Sequence, residues 1–133
     1  MQKGVILLIT LFLCVGCDQA TKYTAKHYLE DTRGFTSYAG DLLRIGYAEN
    51  NGAFLSLGSQ LPEGVRAFIF TGIAGLFLIV FVVYLLRNPM ITRFAMIAGS
   101  LVVAGGVGNL IARIFNDGAV IDFLNVGIGG LRT

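Results

Sequence analysis

Three stretches of the chain are almost unbroken in apolar residues, and polar or alternating segments separate them. Gly4 to Gly16 reads GVILLITLFLCVG, Ala67 to Leu86 reads AFIFTGIAGLFLIVFVVYLL, and Phe94 to Ile114 reads FAMIAGSLVVAGGVGNLIARI. A helix needs about 20 such residues to cross a bilayer. The second and third runs meet that length. The first is short, but Cys17 and part of DQATKYTAKHYL can continue its helix, with Asp18 near the membrane boundary. The predicted spans are residues 4–20, 67–86 and 94–114. Small residues in the third (Ala95, Ala98, Gly99, Ala104, Gly105, Gly106, Gly108) favour close helix packing.

The segments between are short of helical pattern. Within Asp18 to Gly64, SYAGDLLRIGYAENNGAFLSLG mixes β-favouring residues with glycine and Asn-Asn turn signals, which predicts a few short strands. Leu61 to Gly64 (LPEG) reads as a turn into the second span. After the third span, NDGAVIDFLNVGIGGLRT alternates loosely and predicts a strand or hairpin beside the first polar stretch. No repeat or linker divides the chain. The expected fold is therefore one mainly α membrane domain of three spans, with a small β-rich region formed by residues 18–64 and 115–133.

Composition sharpens the membrane reading. Hydrophobic residues make up 55% of the 133 and charged ones 14%, too few charges to cover a soluble domain of this size. The net charge of +2 is not gathered into a run that would suit nucleic acid. Its placement is more telling. Lys3 precedes the first span, Arg87 and Arg93 flank the second connector, and neither region contains an acid. The positive-inside tendency puts both in the cytoplasm and the two polar regions on the opposite face. Asp18, Asn50, Asn109, Arg113 and Asp122 then share one side of the membrane.

Polar groups at that boundary are the candidate chemistry, because polar side chains within a bilayer are costly unless paired or functional. Asp18 and Lys22 stand at i and i+4 and can pair on one helix face. Ordinary interfacial helix-end chemistry is the plain alternative. Asn109, Ala112 and Arg113 share one face at the outer end of the third span, behind Gly105 and Gly106, whose lack of side chains would let another backbone approach Asn109. Cys14 and Cys17 form a C-x-x-C pair. In a membrane helix they read as small apolar residues, and a metal site would need two more ligands where His27 is the one histidine.

Taken together, these residues resemble the lipoprotein signal peptidase family, also called signal peptidase II. The family's Asp-Gln-x-Thr-Lys is matched by Asp18, Gln19, Thr21 and Lys22. Its Asn-x-Gly-Ala is matched by Asn50, Gly52 and Ala53, followed by Phe54 and Ser56. Gly-Asn-x-x-Asp-Arg is met by Gly108, Asn109, Ala112 and Arg113, and Gly-x-Val-x-Asp-Phe by Gly118, Val120, Asp122 and Phe123. The resemblance implies a multi-pass protein of the bacterial inner membrane, with its site at the extracytoplasmic face. It implies an aspartic endopeptidase that removes signal peptides from diacylglyceryl-modified prolipoproteins, in contact with membrane lipids and with no cofactor, metal or nucleic acid. It assigns the first catalytic aspartate to position 112, where this sequence has Ala112. It assigns the second to a Phe-Asn-x-Ala-Asp motif that would begin a fourth helix after Thr133. On that assignment the chain as written is catalytically inactive, and Asp18, Lys22, Asn50, Gly52, Asn109, Arg113 and Asp122 shape a substrate pocket. Two other readings stand beside it: a non-enzymatic membrane binder of lipidated peptides, and a lipoprotein lipidated at Cys17, since Lys3, the first apolar run and Cys14 to Cys17 resemble a signal peptide ending in a lipobox.

Overall fold

The computed structural model describes residues 2–30, 34–50, 58, 60–128 and 131–132. Three of its helices are long and apolar enough to cross a membrane: α1 (Gln2–Leu29), α2 (Glu63–Arg87) and α3 (Arg93–Phe115). Large apolar side chains point outward from them, with Phe12 81% and Phe94 83% exposed. In water such surface would be untenable; facing lipid it is the ordinary arrangement. Leu7, Leu85, Met96 and Val103 form the inner core, one contribution or more from each helix.

Helix α1 does not stop near residue 20 but runs on to Leu29. The residues past Asp18 explain this. Ala20, Lys22, Ala25 and Lys26 are good helix formers. The hydroxyls of Thr21 and Thr24 turn back to the carbonyls of Cys17 and Ala20, each at 2.9 Å, so neither competes for another backbone path. Lys26 and His27 in the last turn suit the negative end of the helix dipole. Helix α2 begins at Glu63, directly after Pro62, so the expected turn at LPEG already holds the first helical residues. Its stretch Phe68–Ile73 is a π-helical turn. It ends at Asn88, where Pro89 could not continue the ladder. Helix α3 opens with Thr92 accepting a hydrogen bond from the Ala95 amide at 3.2 Å. It closes with Asp117 and Gly118 at positive φ, the Gly118 amide bonding the Arg113 carbonyl at 2.8 Å.

The glycines of α3 work differently from the sequence expectation. Gly105 has nothing near it, and Ala98 is exposed. The close approaches are at Gly99, where a Cβ would stand 2.7 Å from a Leu85 methyl, and at Gly106, where it would stand 2.7 Å from Leu78. Both are side chains of α2 seated in the gaps. It is Gly108, not Gly105 or Gly106, that admits the polar cluster described below.

Four strands form one antiparallel sheet in the order β1 (Thr36–Tyr38), β2 (Leu43–Asn50), β3 (Val120–Ile128) and β4 (Leu131–Arg132). The β1–β2 turn carries Ala39, Gly40 and Asp41 at positive φ, and the Asp41 carboxylate holds it by accepting from Ser37 and, at 2.7 Å on each oxygen, from Arg44. Strands β2 and β3 pair from Leu43 with Val126 to Asn50 with Val120, with a register shift between Ile45 and Ala48. The predicted hairpin partner of the first polar stretch is thus β3. Because β3 follows the end of α3 after one tight turn, the sheet is anchored at the same end as Arg113.

Candidate functional site

Two clusters of polar side chains lie at the end of α3. The first joins it to α1. Lys22 is buried, and its Nζ donates to Asp18 Oδ2 at 2.8 Å and to Asn109 Oδ1 at 3.1 Å. The side-chain amide of Gln19 donates to Asp18 Oδ2 at 2.9 Å and to the Gly108 carbonyl at 3.0 Å. Position 108 must be glycine for this: a Cβ there would lie 2.5 Å from Asp18 Oδ2. One turn further out, Lys26 reaches Asn116 Oδ1 at 3.4 Å, and the Asn116 amide donates to the Ala112 carbonyl at 2.8 Å. The i, i+4 spacing of Asp18 and Lys22 was enough to predict their pairing. What it could not reveal is that Asn109 is the third member. Gln19 and Lys26 were legible as part of a helix end but not as cross-helix ligands.

The second cluster joins α3 to the sheet and to α2. Asn50 on β2 donates its amide to Asp122 Oδ2 on β3 at 3.0 Å. The two are not paired directly in the ladder: Asn50 faces Val120, and Ala48 faces Asp122. The contact is diagonal, as neighbouring strands allow. Arg113 donates from Nη1 to the Gly118 carbonyl at 3.2 Å, and its guanidinium carbon lies 5.1 Å from the centre of the Phe70 ring. A cavity of about 260 Å³ opens between the first turns of α2 and the end of α3, with Arg66, Thr71, Gly72, Arg113, Asp117 and Gly118 among its lining.

The chemical capacities of the clusters differ. In the first, the one buried amine is matched by a carboxylate and an amide, an arrangement suited to holding two helices together. In the second, a carboxylate accepts from an amide donor, and the Arg113 cation lines open space. Ala112 belongs to neither as a functional group. Its side chain is 2% exposed, on the face of α3 that packs into the protein. Gly52, with Ala53, Phe54 and Ser56, lies outside the described residues. Among the described residues, no three His, Cys, Asp or Glu side chains converge as a metal site.

Residues 10–133 match the family described as Peptidase_A8, signal peptidase (SPase) II. The chain belongs to the signal peptidase II family. It is 36% identical over 129 residues to the lipoprotein signal peptidase of Borrelia duttonii, covering 94% of this chain and 74% of that protein. Its identity with the lipoprotein signal peptidase of Borrelia hermsii is 31% over 128 residues, with the same coverage. Among solved structures it resembles a bacterial membrane enzyme with a TM-score of 0.75 and 27% identity, over 92% of this chain and 70% of that one. A second structure of a bacterial membrane enzyme gives 0.72 at the same identity. As a signal peptidase II with three helices able to cross a bilayer, it is a multi-pass protein of the inner membrane. The expected mainly α architecture with a small antiparallel sheet is the one observed.

Proposed function

We propose that this protein takes part in removing signal peptides from diacylglyceryl-modified prolipoproteins, by aspartic chemistry, at the extracytoplasmic membrane boundary. The lipid would remain in the bilayer while the scissile peptide meets the polar end of α3 and the sheet. Lipoprotein signal peptidases among its relatives support the substrate class.

The observation that carries the reading is the Asn50–Asp122 contact at 3.0 Å, on the strand that follows the Arg113 end of α3. It favours Asp122 as the first reacting carboxylate. The resemblance had put that group at position 112, but the burial of Ala112 disfavours a carboxylate there acting on substrate. On this reading Asp122 serves as base toward a water, Asn50 fixes its orientation, and Arg113 meets a substrate carbonyl or the developing negative charge. Asp18, Lys22 and Asn109 position α3 against α1 without touching the reacting atoms. Gly52 belongs to the same pocket by motif. A shared-proton mechanism requires a second carboxylate close to the first. The family resemblance assigns it to a Phe-Asn-x-Ala-Asp motif that would follow Thr133.

The alternative of lipidation and cleavage at Cys17 is disfavoured by the packing of the segment before it. Leu7 belongs to the inner core, and Lys3 bonds the Asn88 carbonyl. Cleavage before Cys17 would remove both.

A photo-crosslinker placed at residue 50 or residue 109 tests the substrate class without requiring turnover. It should capture a diacylglyceryl prolipoprotein and less of the unlipidated precursor. Equal capture of the two forms, or of neither, rejects recognition of the lipid-modified precursor.

A further inference from the structure

We propose that Phe70 is a positioning residue for Arg113, presented by the π-helical turn of α2 and given room by Gly58. The role rests on the reading of Arg113 as a substrate-facing group. Three independent features of the structure meet at this ring.

The first is the contact itself. The Arg113 guanidinium carbon is 5.1 Å from the ring centroid, within the range at which a cation is attracted to the negative face of an aromatic ring. Such a contact gains strength where water is scarce, as at the edge of a bilayer.

The second is the local backbone. Phe68–Ile73 winds as a π-helix inside an otherwise α-helical span, with no proline within it to account for the widening. Single π turns are costly and recur at functional sites. Here the turn presents Phe70 to Arg113 while Thr71 and Gly72, the next two residues, line the cavity that Arg113 also lines. One wide turn therefore supplies both the ring under the guanidinium and part of the cavity wall.

The third is Gly58. It sits at φ +81, and a Cβ there would stand 2.8 Å from Phe70 Cζ. The lack of a side chain at 58 thus leaves room for the tip of the ring, which a Cβ there would displace. Arginine has four flexible side-chain bonds. The ring and the Gly118 carbonyl, 3.2 Å from Nη1, hold its planar head at two points before substrate arrives. Pre-ordering of this kind improves binding by lowering the entropy lost in the complex.

The test uses the whole chain in detergent micelles, with two readouts. The first is the Arg113 side-chain Nε–H resonance in ¹⁵N-arginine-labelled protein. Ring current from Phe70 should move it upfield. Phe70→Leu should abolish that displacement and Phe70→Tyr should keep it. The second is affinity for a diacylglyceryl lipobox peptide. Phe70→Leu should weaken it by about 5- to 10-fold, Phe70→Tyr by less than about 2-fold, and Phe70→Leu should add nothing in an Arg113→Gln background. An equal loss from Phe70→Leu in both backgrounds means general packing and overturns the proposal. So does an Arg113 resonance indifferent to Phe70→Leu. An upfield resonance in a chain that binds no lipidated peptide overturns the functional reading of Arg113, and the positioning role with it, while leaving the contact itself in place.

Discussion

Lys22 and Asn109 meet across the interface of α1 and α3, the lysine Nζ donating to the asparagine Oδ1 at 3.1 Å while it also holds Asp18 at 2.8 Å. The lysine is buried, and both of these acceptors are side chains. Lys22→Met keeps the aliphatic stem but leaves the Asp18 carboxylate without its cation. Asp18 retains partial contact with solvent, which moderates the cost. The expected loss is about 1–3 kcal/mol, seen as a fall of several degrees in the unfolding midpoint in detergent. Asp18→Asn added to Lys22→Met should recover part of it by removing the stranded charge. A double variant no more stable than Lys22→Met would remove the ion pair from the account.

Gly108 and Gly105 offer a matched comparison on one helix. An added methyl at 108 meets Asp18 Oδ2, an atom that cannot easily retreat because Lys22 and Gln19 hold it. Gly108→Ala should destabilise by about 1–3 kcal/mol. Gly105 faces open space, so Gly105→Ala should be neutral or stabilising by up to about 1 kcal/mol. In an Asp18→Ala background the cost of Gly108→Ala should shrink, because the obstructing carboxylate is gone. Midpoints of thermal unfolding for the four variants decide it, and equal effects at 105 and 108 would contradict the packing described.

What the sequence disclosed and withheld follows from the range of each signal. The spans were legible because hydropathy is a property of residues close in sequence. The Asp18–Lys22 pair was legible because i, i+4 neighbours share a helix face. The full extension of α1 to Leu29 was not, since it depends on the hydroxyls of Thr21 and Thr24 bonding back to the preceding turn, which only the fold shows. The functions of the α3 glycines were also hidden. Gly99 and Gly106 receive Leu85 and Leu78, and Gly108 receives Asp18, partners that depend on how α1 and α2 rotate against α3. The choice between positions 112 and 122 meets the same limit. A motif gives the order of residues, whereas burial and the diagonal Asn50–Asp122 contact depend on the sheet register.

Orientation follows from Lys3, Arg87 and Arg93 at one end of the helices. In a background without Cys14 and Cys17, cysteines placed at Ser37 and at Met90 report on the two ends. Both positions are exposed, Met90 at 88%, so failure to label would reflect the membrane and not burial. An impermeant thiol reagent applied to intact cells should modify position 37 alone. Modification at position 90 in sealed cells would invert the topology.

Tyr47 on β2 donates its hydroxyl to Glu49 at 2.7 Å. Burial first, and then this hydrogen bond with the nearby negative charge, holds its phenol well above the ordinary range. The sign is that of a group whose neutral form is favoured by folding. Its contribution to stability is complete below the unfolded phenol value and is lost as pH rises through the folded one. In an alkaline absorbance titration the chain's five tyrosines should include a late-ionising phenol that disappears in Tyr47→Phe. Glu49→Gln should bring that phenol earlier. A titration unchanged by Tyr47→Phe would assign the late step elsewhere.

The sharpest division between positions 112 and 122 is in cleavage. Ala112 is 2% exposed, so Ala112→Asp would place a carboxylate where water is scarce. Such a group would take up a proton or push α3 away from its neighbours, and in neither case would it approach a peptide bond. Asp122 already has an amide donor. Five polypeptides should therefore be compared on a diacylglyceryl prolipoprotein: residues 1–133, the same with Ala112→Asp, residues 1–133 joined to a family-type fourth helix, that extended chain with Asp122→Asn, and the extended chain with Ala112→Asp. The first two should be inactive, since neither brings a second carboxylate to the bound peptide to protonate the leaving group. The third should cleave with Ala112 unchanged. The fourth should lose at least about three orders of magnitude in rate, as loss of a core catalytic group generally does. Cleavage that required Ala112→Asp in the extended chain, or that survived Asp122→Asn, would return the first carboxylate to position 112 and leave Asp122 as part of the pocket wall.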